Sequence, residues 1–197
     1  TENLAGAICL SGANPLTITG GVFSGNKAAK GGGCFYNNAA STINITGAEF
    51  KNNESSTFGG VFFGNEKATD AVITISDAAF SGNKANKGEA GAIFFKSGEW
   101  NVTDTKFENN TATSNGGAIY AHTGTLTLEN ATFSGNESGG GAGGGAVYVT
   151  TDGVLSASGS TFSLNKSPNG NGAVTVANTA DRAIHKISNC IFSGNSA

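Results

Sequence analysis

The feature that most constrains the fold of this chain is a pair of short motifs that recur seven times in one phase. The phenylalanines of a Phe-x-x-Asn motif are spaced by 27, 30, 27, 26, 29 and 30 residues. The second glycine of a Gly-Gly-Ala-aliphatic motif recurs at intervals of 27, 27, 31, 26, 28 and 27 residues. Two independent markers that share a period over 197 residues predict a repeat protein. The markers are Phe23, Phe50, Phe80, Phe107, Phe133, Phe162 and Phe192; Asn26, Asn53, Asn83, Asn110, Asn136, Asn165 and Asn195; and Gly6, Gly33, Gly60, Gly91, Gly117, Gly145 and Gly172.

Each repeat also contains a segment in which apolar and polar residues alternate. Examples are LTIT from Leu16, INIT from Ile43 and LTLE from Leu126. This period of two is typical of β-strands, and together with the two motifs it gives three short extended segments per repeat. The sequence therefore predicts an all-β, single-stranded parallel β-helix of about seven coils of roughly 27 residues. We expect residues 1–197 to form a single domain, since each coil needs its neighbours to bury its inner face.

A fixed bend is predicted three residues before each Phe, because only Gly, Asn and Asp occur there. These residues tolerate a left-handed backbone, so the bend should lie between the second and third strands. The positions are Gly20, Gly47, Asp77, Asp104, Asn130, Gly159 and Asn189.

Three rows of side chains are expected to stack inside the coils: the Phe row, the Asn row and a row two residues after the repeat glycine. This third row is Ile8, Phe35, Phe62, Ile93, Ile119, Val147 and Val174. The next residue in each coil then points outward, which predicts an exposed aromatic stripe that marks a contact surface. The alternative is a register shifted by one residue, in which these rings belong to the core. The stripe is Tyr36, Phe63, Phe94, Tyr120 and Tyr148.

The paired motifs at this spacing resemble the polymorphic outer-membrane protein repeats of chlamydial surface autotransporter adhesins. The resemblance extends along the whole chain, with departures such as GGC at Cys34 and GGV at Val61. It implies a right-handed parallel β-helix that is exported to the cell surface, with an adhesive or structural role. We expect an extracellular or cell-surface location on this ground.

Composition excludes several kinds of partner. Charged residues make up 13% of the chain and the net charge is −3, so there is no basic surface for nucleic acid. No apolar run is long enough for a membrane-spanning helix, and no membrane insertion is expected. The chain starts at Thr1 without Met, which indicates processing or excision from a longer polypeptide.

The residues that could carry chemistry do not form a catalytic or metal-binding set. Asp77 and Asp104 occupy equivalent positions on neighbouring coils, but the bend explains both without a Ca²⁺ site. His122 and His185 do not align with a Ser, Cys or Asp of a neighbouring repeat that would complete a catalytic set. The three cysteines, Cys9, Cys34 and Cys190, are interpreted as buried apolar thiols rather than as a disulfide, metal or catalytic site. We expect no enzyme activity, cofactor or metal; the opposing hypothesis is a polysaccharide lyase or hydrolase on the same fold.

Seven Asn-x-Ser/Thr sequons are present, but three of their asparagines belong to the Asn row and are predicted to be buried. Asn44 and Asn101, which should point outward on the second strand, are the candidate glycosylation acceptors.

The two ends of the chain are predicted to be self-association surfaces. If one molecule abuts the next, Phe192 is followed by the next repeat glycine after 11 residues, within the internal range of 10 to 12. We therefore expect an extracellular structural or adhesive protein that stacks head to tail into a filament, with Ile191 and Phe192 packing beneath the next molecule. The alternative is an adhesin passenger that binds cell-surface receptors or glycans. The end residues are Leu4, Ile8, Leu16, Cys190, Ile191, Phe192 and Asn195.

Overall fold

The structure of the chain is a computed structural model that describes residues 3–178 and 184–197. All regular structure in these residues is β-strand, so the described part contains no helix that could cross a membrane. The strands form three seven-stranded parallel sheets and one short five-stranded sheet. Each coil contributes one strand to each long sheet, which confirms the predicted β-solenoid with seven coils and three main strands per coil.

The first sheet follows the repeat glycines and the second contains the alternating segments. The strands of the first sheet are Ile8–Leu10, Phe35–Asn37, Phe62–Gly64, Ile93–Phe95, Ile119–Ala121, Val147–Thr151 and Val174–Asn178. The strands of the second are Leu16–Thr19, Thr42–Thr46, Val72–Ser76, Glu99–Thr103, Thr125–Glu129, Val154–Ser158 and Lys186–Ser188.

The third sheet carries the Phe row, and the fourth lies just after the Asn row. The strands of the third are Val22–Ser24, Glu49–Lys51, Ala79–Ser81, Lys106–Glu108, Thr132–Ser134, Thr161–Ser163 and Ile191–Ser193. The strands of the fourth are Lys27–Ala28, Glu54–Ser55, Lys84–Ala85, Thr111–Ala112 and Glu137–Ser138. The sequence does not predict the fourth sheet, because a two-residue strand is too short to show alternation.

The predicted bend before the third sheet is present in all seven coils. Its residues have φ between 48° and 68°, whether the residue is Gly, Asp or Asn. Because this left-handed region is costly for most L-residues, the bend explains the restricted composition of the position. Asp77 and Asp104 are therefore accounted for by backbone geometry.

The repeat glycine is required for a different reason, namely the close approach of neighbouring coils. A Cβ atom on Gly33 would overlap the carbonyl oxygen of Gly60, and the same relation links Gly91 to Gly117 and continues along the rod. These glycines do not have a positive φ. The first motif of the sequence thus marks the place where two backbones pack without a side chain between them.

The main core is built from the predicted inward rows. The Phe rings stack along the axis with centroids 4.6–5.1 Å apart. Phe35 and Phe62 of the first sheet stack at 4.4 Å, and Trp100 stacks on Phe95 at 4.9 Å. The five Phe rings from Phe50 to Phe162 are at most 1% exposed. The sheets therefore enclose one continuous apolar column, whose ends are the first and last coils.

Candidate functional site

Inside the rod, the Asn row forms a hydrogen-bonded ladder with a direction. The backbone N–H and Nδ2 of Asn110 both donate to Oδ1 of Asn136 in the next coil, each at 3.0 Å. Asn110 Nδ2 also donates to the carbonyl oxygen of Phe80 in the previous coil, at 2.9 Å. Asn110 Oδ1 accepts from the backbone N–H and Nδ2 of Asn83, at 3.1 and 2.9 Å. In each interior coil, the Asn Oδ1 therefore accepts from the coil on the side of the first coil. The Asn backbone N–H and Nδ2 donate to the coil on the side of the last coil.

The first coil leaves the acceptor end of this ladder open. Asn26 donates to Asn53 Oδ1 at 2.9 Å from its backbone and at 3.0 Å from its side chain, as an interior asparagine does. Its own Oδ1 receives no hydrogen bond from any residue that the structure describes. Ile8 and Leu16 are half-buried against the main core, whereas Leu4 packs against a separate aromatic cluster.

The last coil leaves the donor end open. Asn195 Nδ2 donates to the Phe162 carbonyl at 2.8 Å, but the backbone N–H of Asn195 has no acceptor within the described ranges. Phe192 stacks on Phe162 at 4.8 Å, yet it is 47% exposed while Phe162 is 1% exposed. Cys190 is half-buried, and its thiol donates to the Ser188 carbonyl. Ile8 and Leu16 in the first coil, and Phe192 and Asn195 in the last, therefore occupy the positions of interior residues but have a neighbouring described coil on one side only.

Ile191 departs from the predicted arrangement of the last coil, in which it packs beneath the next molecule together with Phe192. Its side chain instead points away from the core and is 60% exposed, because Phe192 occupies the inward position of the same strand. Val22, at the matching position of the first coil, is 63% exposed.

The prediction of an exposed aromatic stripe is wrong. The five rings do point away from the main core, and successive centroids lie 5.0–5.4 Å apart, so the register was correct. They are nevertheless covered, and the turns that precede the strands contribute to this: a Cβ on Gly31 would lie 3.1 Å from the ring of Tyr36, and one on Gly144 would lie 3.0 Å from the Cβ of Tyr148. The rings form a second, smaller aromatic layer with partners such as Phe58 and Ala90. The exposed fractions are 7% for Tyr36, Phe63 and Tyr148 and 3% for Phe94, and Tyr120 is half-buried.

One notch interrupts the cover of this layer. It has a volume of about 390 Å³ and lies where Gly31 provides no side chain, beside the ring of Phe58. Its walls are mainly apolar. Asn65 borders it and donates from Nδ2 to the hydroxyl of Tyr36 at 2.6 Å. The lining residues are Leu4, Lys30, Gly31, Tyr36, Thr57, Phe58, Phe63 and Asn65.

Carboxylates border three shallow grooves on other sides of the rod. Glu49, Asp77 and Asp104 line one of about 310 Å³, next to Lys106; three carboxylates in one groove are the arrangement expected of the opposing hypothesis, a polysaccharide lyase or hydrolase. Asp70 and Glu99 line a second of about 450 Å³. In residues 3–178 and 184–197, no three His, Cys, Asp or Glu side chains are arranged so that they could hold one metal ion.

The third groove, of about 280 Å³, contains Glu66, Lys96 and His122. Lys96 Nζ lies 2.9 Å from Glu66 Oε2, and this hydrogen bond and charge lower the pKa of the Glu66 carboxyl. The ion pair with Lys96 therefore favours the ionised form of Glu66.

The three cysteines are free thiols in different surroundings. Cys34 is fully buried, as predicted, and burial raises its pKa to about 12 despite a hydrogen bond from Asn26. Cys9 is exposed, so the expectation of a buried thiol is wrong there, because Cys9 occupies the outward position that Tyr36 fills in the next coil. A thiol with the pKa of Cys34 is inert as a nucleophile at neutral pH.

The structure separates the sequon asparagines into the two predicted groups, buried asparagines of the ladder and outward-pointing asparagines of the second sheet. Asn53, Asn136 and Asn165 are fully buried in the ladder. Asn44 is exposed on the second sheet, whereas Asn101 is half-buried and donates to Glu99 Oε1 at 2.8 Å. Asn44 is therefore the more accessible of the two proposed acceptors.

Comparison with known families identifies one repeat of the chain. Residues 104–122 match the Chlamydia polymorphic membrane protein repeat. The matched stretch starts at the bend residue Asp104, includes Phe107 and Asn110 of the first motif, and continues past Ile119 of the second. The resemblance predicted from these motifs is confirmed. Comparisons with curated proteins and with solved structures gave no significant match.

Proposed function

From the polymorphic membrane protein repeat that residues 104–122 carry, we propose that this chain is a structural β-solenoid of the cell surface or the extracellular space that extends end to end. The observation that supports this function is the state of the two terminal coils. Within residues 3–178 and 184–197, each presents the side chains and backbone edges of an interior coil without a covering element. In solenoids such surfaces either bear a cap or receive another coil.

The open groups of the two ends complement one another. The last coil offers the backbone N–H and Nδ2 of Asn195, and the first coil offers Oδ1 of Asn26. In the interior these groups pair at about 3 Å, and leaving a buried polar group unpaired costs about 1–3 kcal/mol. If the last coil of one molecule contacts the first coil of another, the Asn hydrogen bonds would continue across the junction with the same order of donor and acceptor.

The apolar surfaces of the ends are complementary as well. Phe192 is 47% exposed at one end, and Ile8, Leu16 and Phe23 are half-buried at the other. Covering apolar area contributes about 25 cal/mol per Å². A further coil, placed with the interior spacing, would bury these side chains as fully as their counterparts in the middle of the rod.

Electron microscopy of the purified chain over a range of concentrations tests this function. We expect unbranched fibres with the width of one solenoid, whose length increases with concentration. As a control, Phe192→Asp places a charge on the last face and should give short rods. A chain that stays monomeric at high concentration, or that forms only amorphous aggregates, contradicts the proposal.

An adhesive role is the second candidate, and the notch beside Phe58 is the observation that favours it. An aromatic-walled recess with amide and hydroxyl groups at its rim suits a receptor side chain or a glycan. Binding of the chain to cells and to immobilised glycans, compared between the natural protein and Phe58→Ala, would test this role. Equal binding by the two proteins would contradict a role for the notch.

A further inference from the structure

We propose that a groove on the interior coils binds a neutral polysaccharide chain through hydrogen bonds to carboxylate, amide and hydroxyl groups. The groove lies in coils three to five, at the corner where the first sheet turns into the second. It shares no lining residue with the notch beside Phe58, and it does not involve the terminal coils. This inference is therefore independent of the end-to-end function.

The site consists of two of the shallow grooves already described, of about 450 and 280 Å³. Thr69 lines both of them, so the two adjoin. Together they extend across the turns of three consecutive coils. A polymer segment, rather than a single small molecule, matches a depression of this length.

Unequal turns between the first and second sheets create the groove. Coil three uses the seven residues 65–71 for this turn, whereas coils four and five use the three residues 96–98 and 122–124. Asp70 of the long turn lines the groove together with Gly98 and Gly124 of the short turns. A Cβ on Gly98 would lie 2.8 Å from the carbonyl oxygen of Ala71, so the long and short turns pack closely at this point.

The long turn is held in place by the protein itself. The backbone N–H of Ala68 donates to the carbonyl oxygen of Asn65 at 3.0 Å. Ser97 Oγ donates to the same carbonyl at 3.2 Å, and Lys96 Nζ bonds to Glu66 Oε2 at 2.9 Å. A binding surface that is ordered in advance loses less conformational entropy when a ligand binds.

The lining of the larger part is polar and rich in acceptors. Asp70 and Glu99 are exposed, and neither forms a salt bridge with a lysine or arginine that the structure describes. The hydroxyl groups of Thr69 and Thr125 can both donate and accept. Val72, which is 37% exposed, adds one apolar contact. Carboxylates form strong hydrogen bonds with hydroxyl donors, so this lining suits a ligand with many hydroxyl groups better than an apolar side chain.

One pair of side chains is arranged for such a ligand. Asn101 Nδ2 donates to Glu99 Oε1 at 2.8 Å, which fixes an amide and a carboxylate side by side. The second carboxylate oxygen, the amide oxygen and the second amide hydrogen have no other partner among the described residues. Neighbouring hydroxyls of a sugar ring carry both donors and acceptors and can bond to these groups together.

The outward face of the second sheet extends this surface along the axis. Asn101 pairs in register with Thr74 of coil three and Thr127 of coil five. Adjacent strands are about 4.8 Å apart, so a chain that lies along the axis meets one amide or hydroxyl group per coil. This regular row favours an extended polysaccharide as the ligand.

Affinity electrophoresis in native gels that contain dextran, galactomannan or xyloglucan tests the site. We expect at least one of these neutral polymers to retard the natural chain. Glu99→Ala removes the carboxylate and its pair with Asn101, and it should raise the dissociation constant about tenfold, as for the loss of one hydrogen bond to a charged group. Asp70→Ala should weaken binding to a similar extent.

Glu129→Ala is the matched control. Glu129 is an exposed carboxylate of the same sheet, at the far end of its strand from the groove. This variant should bind as the natural chain does, and thermal unfolding should show that all three variants are folded. Equal losses in Glu99→Ala and Glu129→Ala would overturn the assignment to the groove, as would the absence of retardation of the natural chain by all three polymers.

Ionic strength separates hydrogen bonding from attraction between charges. Binding of a neutral polymer should change little between low and high salt, because salt screens only interactions between charges. Polylysine serves as the charged comparison. Retardation of the chain by polylysine, without retardation by any neutral polymer, would show that the carboxylates bind a basic partner and would overturn the proposal.

Two further variants separate this site from the other proposed surfaces. Phe58→Ala alters the notch, and Phe192→Asp alters the last coil; both should bind the polysaccharide as the natural chain does. Loss of binding in Phe58→Ala with full binding in Glu99→Ala would place the ligand in the notch and overturn the groove. Normal binding by Phe192→Asp supports a site that works whether or not the chains assemble.

Discussion

The fifth and last coils of the solenoid contain the same motif in different surroundings. Phe133 stacks between two rings and is fully buried, whereas Phe192 stacks on one ring and is 47% exposed. Asn136 satisfies its donors within the chain, and the Asn195 backbone N–H finds no acceptor in the described residues. The same motif therefore has different surroundings in an interior coil and in the last described coil.

The same comparison extends to the aromatic layer outside the core. Coils two to six carry an aromatic residue at its position, from Tyr36 to Tyr148. The first coil carries Cys9 there and the last carries Thr175. The layer is thus confined to the interior coils, while the main core continues to both faces.

The largest effect is expected when a ring is removed from the middle of the Phe row. Phe107→Ala should lower the free energy of unfolding by about 3–5 kcal/mol, because it leaves a cavity in a closely packed stack. Phe192→Ala in the monomer should cost about 1 kcal/mol, since half of that ring is already in water. Urea unfolding at low protein concentration measures both, and equal costs would contradict the difference between interior and end.

The Asn ladder should show the same contrast with a smaller effect. Asn110→Ala removes the acceptor for the Asn83 backbone and side chain and the donor to the Phe80 carbonyl. We expect a loss of about 3 kcal/mol, because buried polar groups are left unpaired. Asn195→Ala should be milder in the monomer and should weaken assembly. A milder effect of Asn110→Ala than of Asn195→Ala on unfolding would refute the interior role of the ladder.

The aromatic layer can be examined through its pH dependence. Burial, with a smaller contribution from Glu89, raises the pKa of Tyr120 from 10.0 to about 12. The folded state therefore favours the protonated phenol, and its contribution to stability is complete below about pH 10 and is lost as the pH rises through about 12. Unfolding of the natural chain and of Tyr120→Phe should diverge across this interval, with the variant losing less stability. Parallel curves would show that the ring is not desolvated.

The smallest effect is expected on the outward side of an interior coil. Thr127 lies between Leu126 and Leu128 on the second sheet but faces away from the core. Thr127→Ala should change the free energy of unfolding by about 0.5 kcal/mol or less, as surface substitutions do. A cost near that of Phe107→Ala would mean that position along the rod, rather than burial, sets the energetics.

The sequence was sufficient to predict what depends on repetition. The coil number, the strand order, the bend at Asp77 and the buried ladder asparagines all follow from residues that recur in phase. A single coil cannot supply hydrogen-bond partners for its own strand edges and ladder asparagines. The spacing of the recurring residues therefore indicates which neighbouring coil supplies them.

What could not be predicted depends on the paths of the turns. The outward direction of Tyr36 was right, but the turn at Gly31 covers it, and no periodic signal encodes where a turn folds back. The repeat glycines were visible as a motif, yet their reason, the approach of Gly33 to Gly60, required three-dimensional structure.

The central claim is that the last coil of one molecule serves as the coil before the first coil of another. Cryo-electron microscopy of the fibre tests it most directly through the axial rise per subunit. Seven coils at the strand spacing predict a rise of about 34 Å, with Phe192 stacked on Phe23 of the next subunit. A different rise, a side-by-side arrangement, or contacts between like ends would contradict the account.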